Sequence, residues 1–205
     1  INRPIGARRR LRLAETAGRK MRALEAGSSS RKVEIAMEMD KLTQKSQEAL
    51  QAAQARALRL GHGEVDREHL LASLLEQGDG ILPRLLRRME VSVESVQQAV
   101  EQELGKRPRV SGAEIYLARR LQETLVRAED EARQLKDEYV SVEHLILALL
   151  AEDGAIGRVL AQHRITRDRF LTALMEVRGN QRVISATPEA VYEVLEKYGV
   201  DLVGE

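Results

Sequence analysis

Val65-Asp66-Arg67-Glu68-His69-Leu70 returns 75 residues later as Val140-Ser141-Val142-Glu143-His144-Leu145. Around this block, QEALQAAQARALRLGHGEVDREHLLASLLEQGDGILPRL from Gln47 aligns with QETLVRAEDEARQLKDEYVSVEHLILALLAEDGAIGRVL from Gln122. Of the 39 aligned positions, 14 are identical, where chance would give roughly two or three at ordinary residue frequencies. The chain carries an internal duplication, and the two copies should share one supersecondary unit.

Each copy reads as helices. Ala49, Leu50, Ala53, Ala57 and Leu60 fall on one helical stripe, and so do Leu121, Leu125, Ala128, Ala132 and Leu135. The small alanines let another helix approach closely. A second helix carries Leu70, Leu71, Leu74 and Leu75, mirrored by Leu145, Ile146, Leu149 and Leu150. A third runs through Ile81, Leu85 and Leu86, mirrored by Ile156 and Leu160, and a fourth begins near Ser92 and near Thr166.

The helix starts share one device. An apolar residue precedes the cap and another sits at the fourth helical position: Val65/Asp66/Leu70, Val140/Ser141/Leu145, Val91/Ser92/Val96 and Ile165/Thr166/Phe170. This is the hydrophobic staple around a capping side chain. Glu68, Glu143, Glu94 and Asp168 each follow the cap by two residues, where an acid favours the helix dipole. Gly61, Gly105 and Gly179 suit helix C-terminal ends. The expected fold is all-α: two pseudo-symmetric four-helix repeats, eight helices, over residues 42–105 and 116–179. The four residues Leu70, Leu74, Leu145 and Leu149 should be core.

The flanks differ in kind. The 205-residue chain has a net charge of +1. Residues 1–38 hold ten Lys/Arg against four Asp/Glu, a net of +6; the remainder holds 23 basic and 28 acidic residues, a net of −5. The basic segment has an Arg8–Arg10 run, a Gly27–Ser30 stretch and few bulky apolar residues, too few to offset the entropy of ordering. Three readings stand for it: a basic arm for nucleic acid or an anionic surface, a transit peptide, or a disordered, non-native extension ahead of a start at Met37 or Met39. The extension is preferred. At the other end, residues 180–205 read as a polar linker, then a short helix opened by Thr187 and Pro188 and carrying Val191, Tyr192, Leu195 and Tyr198.

Several chemistries are excluded or unsupported. With no cysteine there is no disulfide, thiolate metal site or Cys nucleophile. No apolar run approaches the length of a membrane span. Four Tyr and one Phe give little for base stacking. There is no G-x-x-x-x-G-K-[ST], G-x-G-x-x-G or H-E-x-x-H motif. The Glu68-His69 and Glu143-His144 pairs invite a metal or acid–base reading. Adjacent helical residues do not point at one atom, so helix capping is the favoured reading.

KLTQKSQEAL (from Lys41), GHGEVDREHLLASLLEQ (from Gly61), LKDEYVSVEHLILALL (from Leu135), VRGNQRV (from Val177) and ATPEAVYEVLEKYGVDL (from Ala186) resemble the amino-terminal region of ClpB-type disaggregases, the double Clp repeat domain. The resemblance covers about residues 39–205 and assigns 39–179 to that domain. It makes 180–205 a linker and the start of a connection to an AAA+ module. The linker between the repeats looks shorter than is usual in the family.

The resemblance implies a substrate- or adaptor-binding, non-catalytic domain of an ATP-dependent chaperone. No cofactor is implied in this chain, ATP belonging to the full-length family, and the expected location is cytoplasmic. Implied partners are unfolded or aggregated polypeptide, adaptor proteins and the AAA+ modules of the same full-length chain, with no nucleic acid or membrane. The fragment is expected to be a monomer. Thr43, Asp137 and Glu143 match polar positions linked to substrate handling in the family, and Glu68 is the repeat mate of Glu143. Thr43, Asp137 and Glu143 are expected at least partly exposed on a common surface bordering an apolar groove. The alternatives are a stand-alone Clp repeat adaptor or regulator of a Clp ATPase or protease, and an ATPase, against which the missing P-loop stands.

Overall fold

The computed structural model describes residues 39–110, 115–179 and 181–188. By internal contacts the chain divides into Ile1–Asp40 and Lys41–Glu205, and everything below concerns the second unit. The basic extension 1–38, and the expected terminal helix beyond Pro188, lie outside the described residues.

Eight helices lie wholly among the described residues: α1 (Gln44–Leu60), α2 (Arg67–Glu76), α3 (Ile81–Arg88), α4 (Val93–Gly105), α5 (Arg119–Gln134), α6 (Val142–Leu150), α7 (Ala155–Gln162) and α8 (Arg167–Arg178). Four fall in each repeat, as the duplication requires. The alanine stripe of α1 is buried at Ala49, Ala53 and Ala57 and packs on α2; that of α5 is buried at Ala128 and Ala132 and packs on α6. Leu60, Leu125 and Leu135 lie half-buried at the stripe edges.

The second helix of each repeat is the centre of the fold. Arg67–Leu75 in α2 and Val142–Leu149 in α6 are buried without interruption. Leu70, Leu74, Leu145 and Leu149 are fully inaccessible. A helix buried on every side cannot show an amphipathic stripe, and here even its charged first-turn residues are taken into the interior. Helix α2 touches α4, α5 and α6, and α6 touches α3 and α8, so the repeats share one core.

Two short parallel pairings join the repeats. Strand β1 (Glu64–Val65) pairs with β2 (Tyr116–Leu117), Val65 opposite Leu117. The isolated bridge Leu42–Val140 is its image: residues 42 and 65 displaced by 75 are 117 and 140. The segment leading into the first helix of each repeat therefore lies beside the segment leading into the second helix of the other. Two-residue ladders are too short to show the alternation by which strands are read.

The turns repeat as well. Gly61 closes α1 at φ 71°, and its mate Lys136 takes φ 60°; Glu90 and Arg164, in the third turn of each repeat, take φ 57° and 56°. Only the first of these left-handed positions has the glycine that favours it.

Candidate functional site

Each central helix begins in a polar knot. In repeat two, Ser141 caps α6 and its N–H donates to His144 Nδ1 at 2.9 Å. The nitrogen that accepts carries no proton, so Nε2 holds it and donates to Asp137 Oδ2 at 3.0 Å. Histidine here takes the place of the usual Glu or Gln of a capping box. The Asp137 carboxylate also accepts from Arg178 Nη2 at 2.7 Å and from the Val183 backbone N–H at 2.8 Å. Arg178 Nη1 lies 3.4 Å from Glu143 Oε1. Burial pushes the Asp137 carboxyl up, but hydrogen bonds from His144, Arg178 and the Val183 N–H outweigh it and hold it below the ordinary value.

Repeat one builds the same knot with one exchange. Asp66 N–H donates to His69 Nδ1 at 3.0 Å. His69 Nε2 faces His62 Nδ1 at 2.8 Å. His62 occupies the place that Asp137 fills 75 residues later. The acids are matched by cations: Arg107 Nη1 reaches Asp66 at 3.0 Å and Glu68 at 3.1 Å, and Arg120 of α5 reaches Asp66 Oδ2 through Nε at 3.2 Å. Burial raises the Asp66 carboxyl, while Arg120 and the Arg67 N–H more than reverse it. His69 is pushed down to about 4, by burial first and then by the positive charge of Arg107.

Thr43 caps α1: its side chain accepts from Ser46 N–H, and its Oγ1 lies 3.0 Å from Ser46 Oγ. Its own N–H donates to Val140 O at 3.0 Å, midway along the chain between Asp137 and Glu143. Three of the four residues singled out from sequence thus gather at one place, and Glu68 belongs to the other knot. The expected exposure of Thr43, Asp137 and Glu143 is corrected. Thr43 and Glu143 are wholly inaccessible, Glu68 is buried, and the Asp137 side chain has no exposed surface. Arg178 pairs with Asp137 and Glu143, His144 and the Val183 N–H add to Asp137, and Arg107 and Arg120 pair with Glu68, so each buried acid faces a cation. Replacing the three together is expected to destabilise the fold. Thr43→Ala alone is expected to lower stability by about 1 kcal/mol, the usual worth of an N-cap, measured by urea unfolding.

Arg107, Arg120, Arg178 and His62 were missed from sequence. Their signal was indirect: acids at helix starts that are buried on all sides call for cations from elsewhere in the fold, and the 75-residue offset aligns His62 with Asp137. Of the Glu-His pairs, His69 and His144 close capping boxes, while Glu68 and Glu143 sit in the first turn and pair with arginines. Among the described residues no three His, Asp or Glu side chains are placed to hold a metal ion, and no helix is long and apolar enough to cross a membrane.

Apart from the knots, a cavity of about 550 Å³ is lined by the α3–α4 turn of one repeat and the α7–α8 turn of the other, through Met89, Val91, Ser92, His163, Arg164 and Arg169. None of the four predicted residues lines it. Three exposed apolar residues instead neighbour the Gly61–Gly63 turn at the end of α1: Leu58 lies one turn before Gly61, Val110 N–H donates to Gly61 O, and Tyr116 N–H donates to Gly63 O.

Residues 41–163 match the Clp repeat (R) N-terminal domain family. The chain is 51% identical over 176 residues to the chaperone protein ClpB of Nitratidesulfovibrio vulgaris, covering 82% of this chain and 20% of that protein. It thus spans about a fifth of the length of the curated relatives it matches. The Hsp104 N-terminal domain from Candida albicans superposes with a TM-score of 0.65 at 25% identity, over 73% of this chain and 99% of that one. A ClpV N-domain in complex with a VipB peptide shares the fold at a TM-score of 0.50 and 21% identity, over 80% and 88% of the two chains. Duplication, capping and comparison agree, and the chain belongs to the Clp repeat (R) N-terminal domain family.

Proposed function

We propose that this domain captures exposed segments of unfolded polypeptide, or of an adaptor, for a ClpB-type chaperone in the cytoplasm, and performs no chemistry itself. The observation that carries the reading is the apolar trio Leu58, Val110 and Tyr116, 68%, 46% and 60% exposed, on a domain of this family. Exposed apolar side chains near a short strand pair suit extended, apolar segments, which gain from burial without demanding a defined sequence. A domain of the same fold is seen with a peptide, which supports the reading. In this arrangement Thr43 caps α1, Asp137 and Glu143 pair with Arg178, and Glu68 pairs with Arg107.

Weak capture suits a module that must pass its client to an ATP-driven partner. The chain should bind a permanently unfolded probe, reduced carboxymethylated α-lactalbumin, with a Kd in the micromolar range. Val110→Ser with Tyr116→Ser should weaken it at least threefold. No contact at several hundred micromolar would refute the reading.

A further inference from the structure

The segment after α8 does not leave the domain freely. Gln181–Ala186 runs back across the repeat-two knot. Val183 is fully buried, and its N–H donates to the Asp137 carboxylate at 2.8 Å. Its carbonyl accepts from Glu138 N–H at 2.9 Å. The Ala186 carbonyl accepts from Gln44 N–H at 2.8 Å, filling one of the donors that the start of α1 leaves open. Arg178 Nε donates to Gln181 O, and Arg182 Nε to Lys136 O at 2.6 Å. Gln181, Arg182, Ile184, Ser185, Ala186 and Thr187 are all exposed, so Val183 and Pro188 are the only buried anchors from 181 to 188.

We infer that this segment is a strap, latched over the Thr43/Asp137 site, which opens without unfolding the helices and so bares a slot for an extended, apolar polypeptide. The strap itself seats one apolar side chain there, that of Val183. It satisfies backbone donors of Gln44 and Glu138 with its carbonyls and buries one β-branched side chain, as an added strand does. Segments held by few buried contacts open at lower free energy than a shared helical core. Opening would return the Asp137 carboxylate and these N–H groups to solvent, which accounts for polar residues of a substrate-handling site being buried here. The inference rests on client capture as the domain's role.

Amide hydrogen exchange on the 205-residue chain reads the strap directly. Gln44, Glu138 and Val183 amides should exchange at least 100-fold faster than Leu145 in α6. Val183→Asp should speed Gln44 and Glu138 by a further tenfold or more with Leu145 unchanged, and should tighten binding of reduced carboxymethylated α-lactalbumin at least threefold. If Val183→Asp also strips protection from Leu145, Arg182→Ala, which removes the bond to Lys136 O, is read in its place, with about a threefold effect on each. Strap amides as slow as Leu145 in the parent chain would overturn the inference, and so would a freed strap with unchanged binding. Absence of probe binding in parent and variants alike would refute client capture, whereas the exchange rates would still report whether the strap opens on its own.

Discussion

Arg178→Ala is expected to lower the stability of the domain by about 3–5 kcal/mol, the range for breaking a buried ion pair by removing one partner. The side chain is 7% exposed, and those of Asp137 and Glu143 are not exposed at all. Truncation takes the guanidinium from both carboxylates in an interior where water cannot replace it. Lysine at 178 should recover only part of the loss, because one ammonium cannot present the planar fork that now spans two acids. Urea unfolding at pH 7 measures this. The acid limb supplies a second readout. A carboxyl held below its unfolded value contributes stability that is present above that value and lost as pH falls through the folded one. Asp137 is such a group. Without Arg178 its folded value rises, and the variant should unfold at a higher pH than the parent. A cost below about 1 kcal/mol, with the acid limb unmoved, would show that the pair is not desolvated as the structure has it.

The repeat architecture was legible because it is written in local chemistry. The four staples, the four first-turn acids and the alanine stripes each depend on residues within about two turns, and each appears twice. The exposure of the site was not legible, and the reason is range. Arg178 lies 35 residues from Glu143 and 41 from Asp137; Arg120 lies 54 from Asp66. A charged residue in a first helical turn reads as solvated until its distant cation is known. The left-handed turns at Glu90, Lys136 and Arg164 were hidden for a different reason: tertiary packing holds them there without the glycine that would have marked them. Thr43 was read both as a cap and as a site residue. The structure shows the cap, and its bond to Val140 places it beside the repeat-two knot.

The difference between the knots predicts a difference in acid sensitivity, and exchanging one residue should remove it. His69 is inaccessible, and its pKa is pushed down to about 4 by burial and by Arg107. An unfolded chain returns it to about 6.5. Below that pH the unfolded state binds a proton the fold refuses, so stability falls as pH drops from about 6.5 and the loss is complete near the folded value. At about 1.4 kcal/mol per pKa unit, the full effect is roughly 3 kcal/mol. His62, lowered by burial and then by Arg107 and Arg109, acts in the same direction. In repeat two an aspartate stands where His62 does, accepting from His144 Nε2. His62→Asp should therefore convert the first knot into the second. His69 Nδ1 already accepts from Asp66 N–H, so Nε2 carries the proton, as a carboxylate at 62 requires. Arg107 and Arg109, which now disfavour an imidazolium, would favour that carboxylate. His69 in the variant should titrate above 6, followed by the imidazole proton resonances. The loss of stability between pH 6.5 and 4 should shrink by roughly 2–3 kcal/mol relative to the parent, the carboxylates common to both chains cancelling in the difference. If His69 still titrates below 5 with aspartate at 62, burial alone sets its pKa, and the likeness between the two knots does not extend to their electrostatics.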